Sequence, residues 1–213
     1  MLSITEYKLN PCRLSSIPYW KRAVYQVHRD LLIIHRDDLI KETNFLDETI
    51  YFRLKHDLNE IKNVKIDNDY YFKNINVNNI ADLKNVMEII NKSYDDIQVT
   101  LNQVIEWTKR KVFNNNLWIF LINNVTQERV ALGIAEVDNE VGEGMLEWIQ
   151  VLPDYRKQKF GQAIVNELLK RFKNEVDFVT VSGKCENITK PEILYRKCGF
   201  TGNDYWHVRF NER

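Results

Sequence analysis

The stretch Leu146-Glu-Trp-Ile-Gln-Val-Leu-Pro-Asp-Tyr-Arg-Lys-Gln-Lys-Phe-Gly-Gln-Ala163 decides how this chain is read. Alternation predicts a strand that ends at Val151. Pro153 breaks it, a basic loop follows, and a helix starts at Gly161. A helix N-terminus leaves backbone N–H groups unpaired and carries partial positive charge, so such a turn can hold a phosphate. Gly161 lets an anion approach the backbone, and Arg156, Lys157 and Lys159 add charge around it. The plainer alternative is an ordinary strand-to-helix turn with solvated lysines.

Outward from this stretch the pattern continues in both directions. All seven glycines lie between Gly133 and Gly202, and no proline occurs between Pro18 and Pro153. Tight-turn chemistry is therefore concentrated in the C-terminal half. Tyr70 to Val77 reads as a strand. Leu83, Val86, Met87, Ile90 and Tyr94 form one apolar helix face. Thr100-Leu-Asn-Gln103 is a capping box opening a second helix, with Leu101, Val104, Ile105 and Val112 as its stripe. Leu117 to Asn123, Arg129 to Asp138 and Met145 to Val151 read as an antiparallel meander. A helix from Gly161 to Phe172, a strand from Asp177 to Ser182, a helix opened by Pro191 and a strand from Trp206 to Phe210 complete the series. The order predicts an α/β or α+β fold with a mixed, mostly antiparallel sheet flanked by helices.

Residues 1–67 are expected to be an N-terminal extension to a domain of residues 68–213. Pro11, Pro18 and Tyr19-Trp20 suggest loop, Ala23 to Val27 with Leu31 to His35 a hairpin, and Tyr51 to Leu58 a short element of either type.

At 213 residues, 44% hydrophobic and 28% charged, the composition suits one medium globular domain with an appendage. Thirty Lys and Arg balance thirty Asp and Glu, which removes the bulk electrostatic argument for a nucleic-acid or anionic-membrane partner. The longest apolar runs, such as Leu117 to Ile122, fall far short of the roughly 20 residues of a membrane span. The N-terminus shows no secretory signal pattern. Cys12, Cys185 and Cys198 are odd in number and widely spaced, which favours a reducing compartment; a cytoplasmic protein is expected.

The turn resembles that of the GNAT N-acetyltransferase superfamily, whose loop follows Val-x-Pro-x-x-Arg and then Arg/Gln-x-x-Gly-x-Gly/Ala. Val151-Leu-Pro-Asp-Tyr-Arg156 matches the lead-in residue for residue. Counted from Arg156, Lys159 stands where the first glycine belongs and Gly161 is the second. Counted from Gln158, the pattern runs unbroken through Gly161 and Ala163. The spacing from Pro153 favours the first frame. A second signature, Leu194-Tyr-Arg-Lys-Cys-Gly-Phe200, is similar to the family's Leu-Tyr-x-Lys-x-Gly-Phe, in the right order and roughly forty residues on. The resemblance covers residues 70 to 213.

The resemblance implies acetyl transfer from acetyl-CoA to a primary amine, made directly in a ternary complex. It implies that backbone groups around Ile149, Gln150 and Val151 hold the pantetheine arm, joined by Asn187. It places the diphosphate on the N–H groups of Lys157, Gln158, Lys159, Phe160, Gly161, Gln162 and Ala163, with Arg156 beside them. Tyr195 is implied as proton donor to the departing sulfur; a free tyrosine, with a pKa of ~10, is protonated at neutral pH. Glu147 shares a strand face with Ile149 and Val151 by alternation and is the expected base, with Glu136 as its rival. Trp148 and Gln150 point to the opposite face, Trp107 is helix packing, and Trp206 and His207 lie on the last strand, where the family often borders the acceptor pocket. The acceptor is expected to be a small-molecule or protein amine. The extension is expected to wall its pocket or to form a homodimer contact.

Other readings are weaker. His28-Arg-Asp-Leu31 imitates a kinase catalytic loop but has His35 where that loop needs asparagine. Gly142-x-Gly144 lacks the third glycine of a dinucleotide fingerprint. The four histidines and three cysteines form no ligand-spaced cluster, so no metal is expected. Cys198 reads as small buried filler. The rival from another class is a non-catalytic acyl-CoA-binding sensor or interaction protein, a reading that Lys159 at a glycine position sustains.

Overall fold

The structure is a computed structural model and describes residues 2–26, 28–39, 45–93 and 97–211. Among these residues it is a mixed α/β fold with eight strands, mostly antiparallel, flanked by helices, as the order of elements predicts. Two compact units divide it: Leu58–Val179, and Met1–Asp57 with Thr180–Arg213.

Leu58–Val179 is built on strands β3 (Tyr70–Asn74), β4 (Phe113–Asn123), β5 (Arg129–Asp138) and β6 (Glu143–Val151), which run antiparallel in the order β6-β5-β4-β3. β5 lies between two strands and is covered on both faces, which is why it reads as the near-continuous apolar run Val130-Ala-Leu-Gly-Ile-Ala135. Helices α4 (Ile80–Ser93) and α5 (Leu101–Trp107) pack their apolar stripes on Trp118, Phe120, Ile122, Leu132 and Ile134. The capping box at Thr100 forms: its side chain accepts from Gln103 N–H and Gln103 accepts from Thr100 N–H. Val112 lies beyond the end of α5, buried on its own account, and Tyr94 lies outside the described residues.

Helix α6 (Phe160–Phe172) covers the other face of β5. Gly133 permits the close approach: a Cβ there would stand 2.5 Å from Ile164 Cγ2 and 3.1 Å from Leu168 Cδ1.

The unit of Met1–Asp57 and Thr180–Arg213 contains β1 (Leu31–His35), β2 (Phe45–His56), Thr180–Lys184 of β7 (Phe178–Lys184), β8 (Thr201–Asn211) and helix α7 (Pro191–Lys197), in strand order β1-β8-β2-β7. β8 is antiparallel to both neighbours, with Ile33 opposite Val208 and Glu48 opposite Arg209. The hairpin expected from Ala23 to His35 does not form. Ala23 and Val24 end helix α3 (Tyr19–Val24), Val27 lies outside the described residues, and β1 pairs with β8 instead. The expected N-terminal loop is also replaced by short helices, α1 (Ile4–Leu9), α2 (Pro11–Leu14) and α3. Local caps explain them: Ser3 and Glu6 make a capping box, and Asn10 caps Pro11 at the first helical position. The buried guanidinium of Arg53 donates to the hydroxyls of Tyr7, Thr180 and Ser182.

Candidate active site

Strand β6, the turn after it and the start of α6 form one continuous segment. Leu152 N–H donates to Val130 O at 3.0 Å. Backbone groups alternate along a strand, so those of Gln150 also face β5 while those of Ile149 and Val151 point away from it. Gln150 itself is buried.

The register between β5 and β6 shifts here: Ile134 is opposite Trp148, whereas Ala135 is opposite Leu146. Glu147 is the extra residue of a β-bulge, and a bulge re-aims the side chain it carries. Simple alternation therefore does not by itself place Glu147 on the face of Ile149 and Val151 expected from the sequence. Glu147 is half-buried. Its rival, Glu136, is 2% exposed and accepts from Arg110 Nη1 at 2.8 Å, so that carboxylate is committed to an ion pair.

Past β6, a 3-10 turn spans Pro153–Tyr155. Tyr155 Oη donates to Glu128 at 2.6 Å, and that hydrogen bond pushes its pKa up to about 12. Arg156 donates to two carbonyl oxygens, from Nε to Val151 and from Nη2 to Ser93, each at 3.2 Å. Part of its guanidinium thus joins the end of β6 to the last turn of α4, a role its place in the motif does not signal.

Lys157 and Lys159 both have left-handed backbones, at φ 66° and 65°. Lys159 is the N-cap of α6, and no side chain caps that helix. Ala163 N–H already donates to Lys159 O, and Arg156 N–H to Pro153 O. The first turn of α6 therefore carries backbone N–H groups that no side chain caps, and the side chains of Lys157, Gln158 and Lys159 are exposed beside it. A doubly charged diphosphate fits this set: a positive helix end, left-handed turns and two ammonium groups. Phe160 is buried, its ring 4.6 Å from that of Tyr70, and anchors the helix start. The first motif frame has a backbone basis, since Lys159 occupies a conformation that glycine adopts readily.

Tyr195 and Asn187 belong to the other unit. Tyr195, on α7, is buried, with its ring centroid 6.1 Å from Phe52 and 5.7 Å from Phe200. Asn187 Oδ1 accepts from the N–H and hydroxyl of Thr189, shaping the loop ahead of α7. Trp206 Nε1 donates to Cys12 O, and His207 Nδ1 lies 2.9 Å from Glu48 Oε1. Cys198 is fully buried. Among the described residues, no group of three His, Cys, Asp or Glu side chains is placed to hold a metal, and no helix is long and apolar enough to cross a membrane.

Residues 114–202 match the family model of the acetyltransferase (GNAT) domain. Among solved structures, the chain is similar to a GCN5-related N-acetyltransferase from Sphaerobacter thermophilus, with a TM-score of 0.67 and 14% identity over 78% of this chain and 52% of that one. It is also similar to the ribosomal-protein-S18-alanine N-acetyltransferase from Escherichia coli, with a TM-score of 0.52 and 17% identity over 68% and 96% of the two chains. A third is in the NatC complex bound to Gag peptide and CoA, with a TM-score of 0.54 and 12% identity over 68% and 99%. The chain spans about half the length of the Sphaerobacter protein. No curated protein matches it in sequence. A shared fold at such low identity and a family match across the strand, turn and helix just described agree with each other: residues 114–202 match the GNAT acetyltransferase domain, and the chain has the fold of the GNAT structures.

Proposed function

We infer that this acetyltransferase moves the acetyl group of acetyl-CoA onto a primary amine, directly and within a ternary complex. The observation that carries the reading is the start of α6, which no side chain caps and which follows a turn with left-handed Lys157 and Lys159. Acetyl-CoA, when bound, supplies the activated thioester. That helix start holds its diphosphate. The outward-facing backbone of Ile149 and Val151 receives the pantetheine arm, and an N–H there polarises the thioester carbonyl.

Glu147 takes a proton from the incoming ammonium, directly or through water, so that the amine lone pair becomes nucleophilic. The N–C bond forms as the C–S bond breaks. Tyr195 passes its Oη proton to the departing sulfur and recovers one, through solvent, from the newly acylated nitrogen. The acceptor is a small-molecule or protein amine. The three free cysteines suit the reducing cytoplasm.

The test is thiol release from acetyl-CoA with a panel of amines, alongside the shift in melting temperature that acetyl-CoA produces. At 100 times its dissociation constant the ligand should stabilise the fold by about 2.7 kcal/mol. Tyr195→Phe should slow release by roughly 10²–10⁴ while keeping the thermal shift. Release at the wild-type rate removes Tyr195 from the mechanism. A thermal shift with no release from any amine turns the reading into that of a binding protein.

A further inference from the structure

Beside the bulge at Glu147, the next residue, Trp148, stacks on Trp107 of α5, with ring centroids 5.4 Å apart and planes 21° apart. Both indoles are half-buried and sit at the rim of the core between the sheet and the helix pair. Arg110 lies over Trp107, 5.7 Å from its ring centroid. Residues along a strand rise about 3.3 Å each, so the indole of Trp148 begins within one step of Glu147 on one side and Ile149 on the other. An amine delivered to that carboxylate arrives one residue away from this aromatic surface.

Charge narrows what such an amine carries. The basic run Lys109-Arg110-Lys111 at the end of α5 is matched cation by cation: Lys109 with Glu106 at 2.6 Å, Arg110 with Glu136 at 2.8 Å, and Lys111 with Glu140 at 3.7 Å. The basic run therefore adds no net positive charge to this rim that would gather a polyanion. The rim offers aromatic area, which binds apolar groups by contact and a single ammonium by its π face.

We propose that the Trp107–Trp148 pair is the acceptor platform, selecting monoamines whose amino group is borne on an apolar, preferably flat, body. The assignment rests on the amine-acetylation reading above and names the substrate class for that same site. Trp148 makes the contact, and Trp107, which meets both Trp148 and Arg110, holds it in place.

The test compares 2-phenylethylamine, ethanolamine and spermidine in the thiol-release assay, and follows indole fluorescence as each is titrated into the full chain. The expected order of kcat/KM puts 2-phenylethylamine first, with saturable quenching by that amine. Trp148→Ala should raise its KM by about tenfold or more and abolish the quenching, with little change for ethanolamine. Trp148→Phe should recover most of the loss, since a flat ring is restored. Trp107→Ala should weaken 2-phenylethylamine in the same direction. A preference for spermidine or ethanolamine, or equal losses for all three amines in Trp148→Ala, overturns the platform while leaving amine acetylation standing. Release from other amines of the panel but from none of these three likewise overturns the platform, whereas release from no amine at all with a normal acetyl-CoA thermal shift overturns amine acetylation itself.

Discussion

Arg156 donates from Nε to the carbonyl oxygen of Val151 at 3.2 Å, closing the turn that Pro153 opens at the end of β6. Its Nη2 reaches the Ser93 carbonyl, an end group of α4 with no partner inside its own helix. The motif arginine is thus an architectural residue before any ligand arrives. Arg156→Ala should destabilise the ligand-free protein by about 1 kcal/mol in urea denaturation. Arg156→Lys should recover little, because a single ammonium cannot reproduce the two-atom span of the guanidinium. A purely ligand-directed arginine would leave the ligand-free stability unchanged.

Lys159 stands at φ 65°, ψ 9°. A side chain in the left-handed region is strained by about 1 kcal/mol relative to glycine. Lys159→Gly should therefore raise the melting temperature by about 2–4 °C, whereas Lys159→Ala, with its Cβ retained, should not. If the ammonium contributes to holding the diphosphate, both variants should lose acetyl-CoA affinity to a similar degree, measured by calorimetry. The two variants thereby separate backbone strain from charge.

Gly133 marks where α6 meets the sheet. Adding a Cβ brings it to 2.5 Å from the β-branched Ile164, whose rotamer has little freedom in a helix. Gly133→Ala should lower stability by about 1–3 kcal/mol in urea denaturation. Gly133→Ala combined with Ile164→Ala should cost less than the sum of the two single losses, as expected of two residues in direct contact.

Glu48 reports on the other unit. Burial works to raise its pKa, but hydrogen bonds from Arg209 and His207 outweigh burial and hold the carboxyl below its ordinary range. A carboxyl depressed in the folded state stabilises that state above its unfolded pKa, and the contribution disappears as pH falls through the folded pKa. Denaturation midpoints measured from pH 7 down to pH 3 should show an acid limb below about pH 4.5. Glu48→Gln should be less stable at pH 7 and have a shallower limb.

The parts of the fold that were legible in the sequence are those specified within a few residues. Pro153 and Gly161 bracket the turn, Thr100 and Gln103 cap α5, and the apolar run of β5 marks a strand covered on both sides. The pairing of β1 with β8 was not legible, because Leu31 and Phe210 carry no mutual signal across such a separation. The short helices before β1 were hidden by their prolines, which open or precede helices here instead of interrupting them. In the site, the strand, turn and helix start around Pro153 and Gly161 followed from local sequence. The bulge at Glu147 did not, since it depends on register against β5 and leaves no mark in the local composition. The Arg156 bonds, the Glu136–Arg110 pair and the Trp107–Trp148 stack depend likewise on tertiary placement.

The interleaving of Phe45–His56 with Thr201–Asn211 has a temporal side. On a ribosome the early strand emerges while its antiparallel mate is still unmade, and all of Leu58–Val179 is synthesised in between. At about 5–20 residues per second, that wait is on the order of ten seconds. During it, a strand with unsatisfied edges must be kept from pairing with a neighbouring nascent chain. Expression yield in this protein should accordingly respond to elongation speed and to holdase supply more than to mutations within Leu58–Val179 that leave its own stability intact.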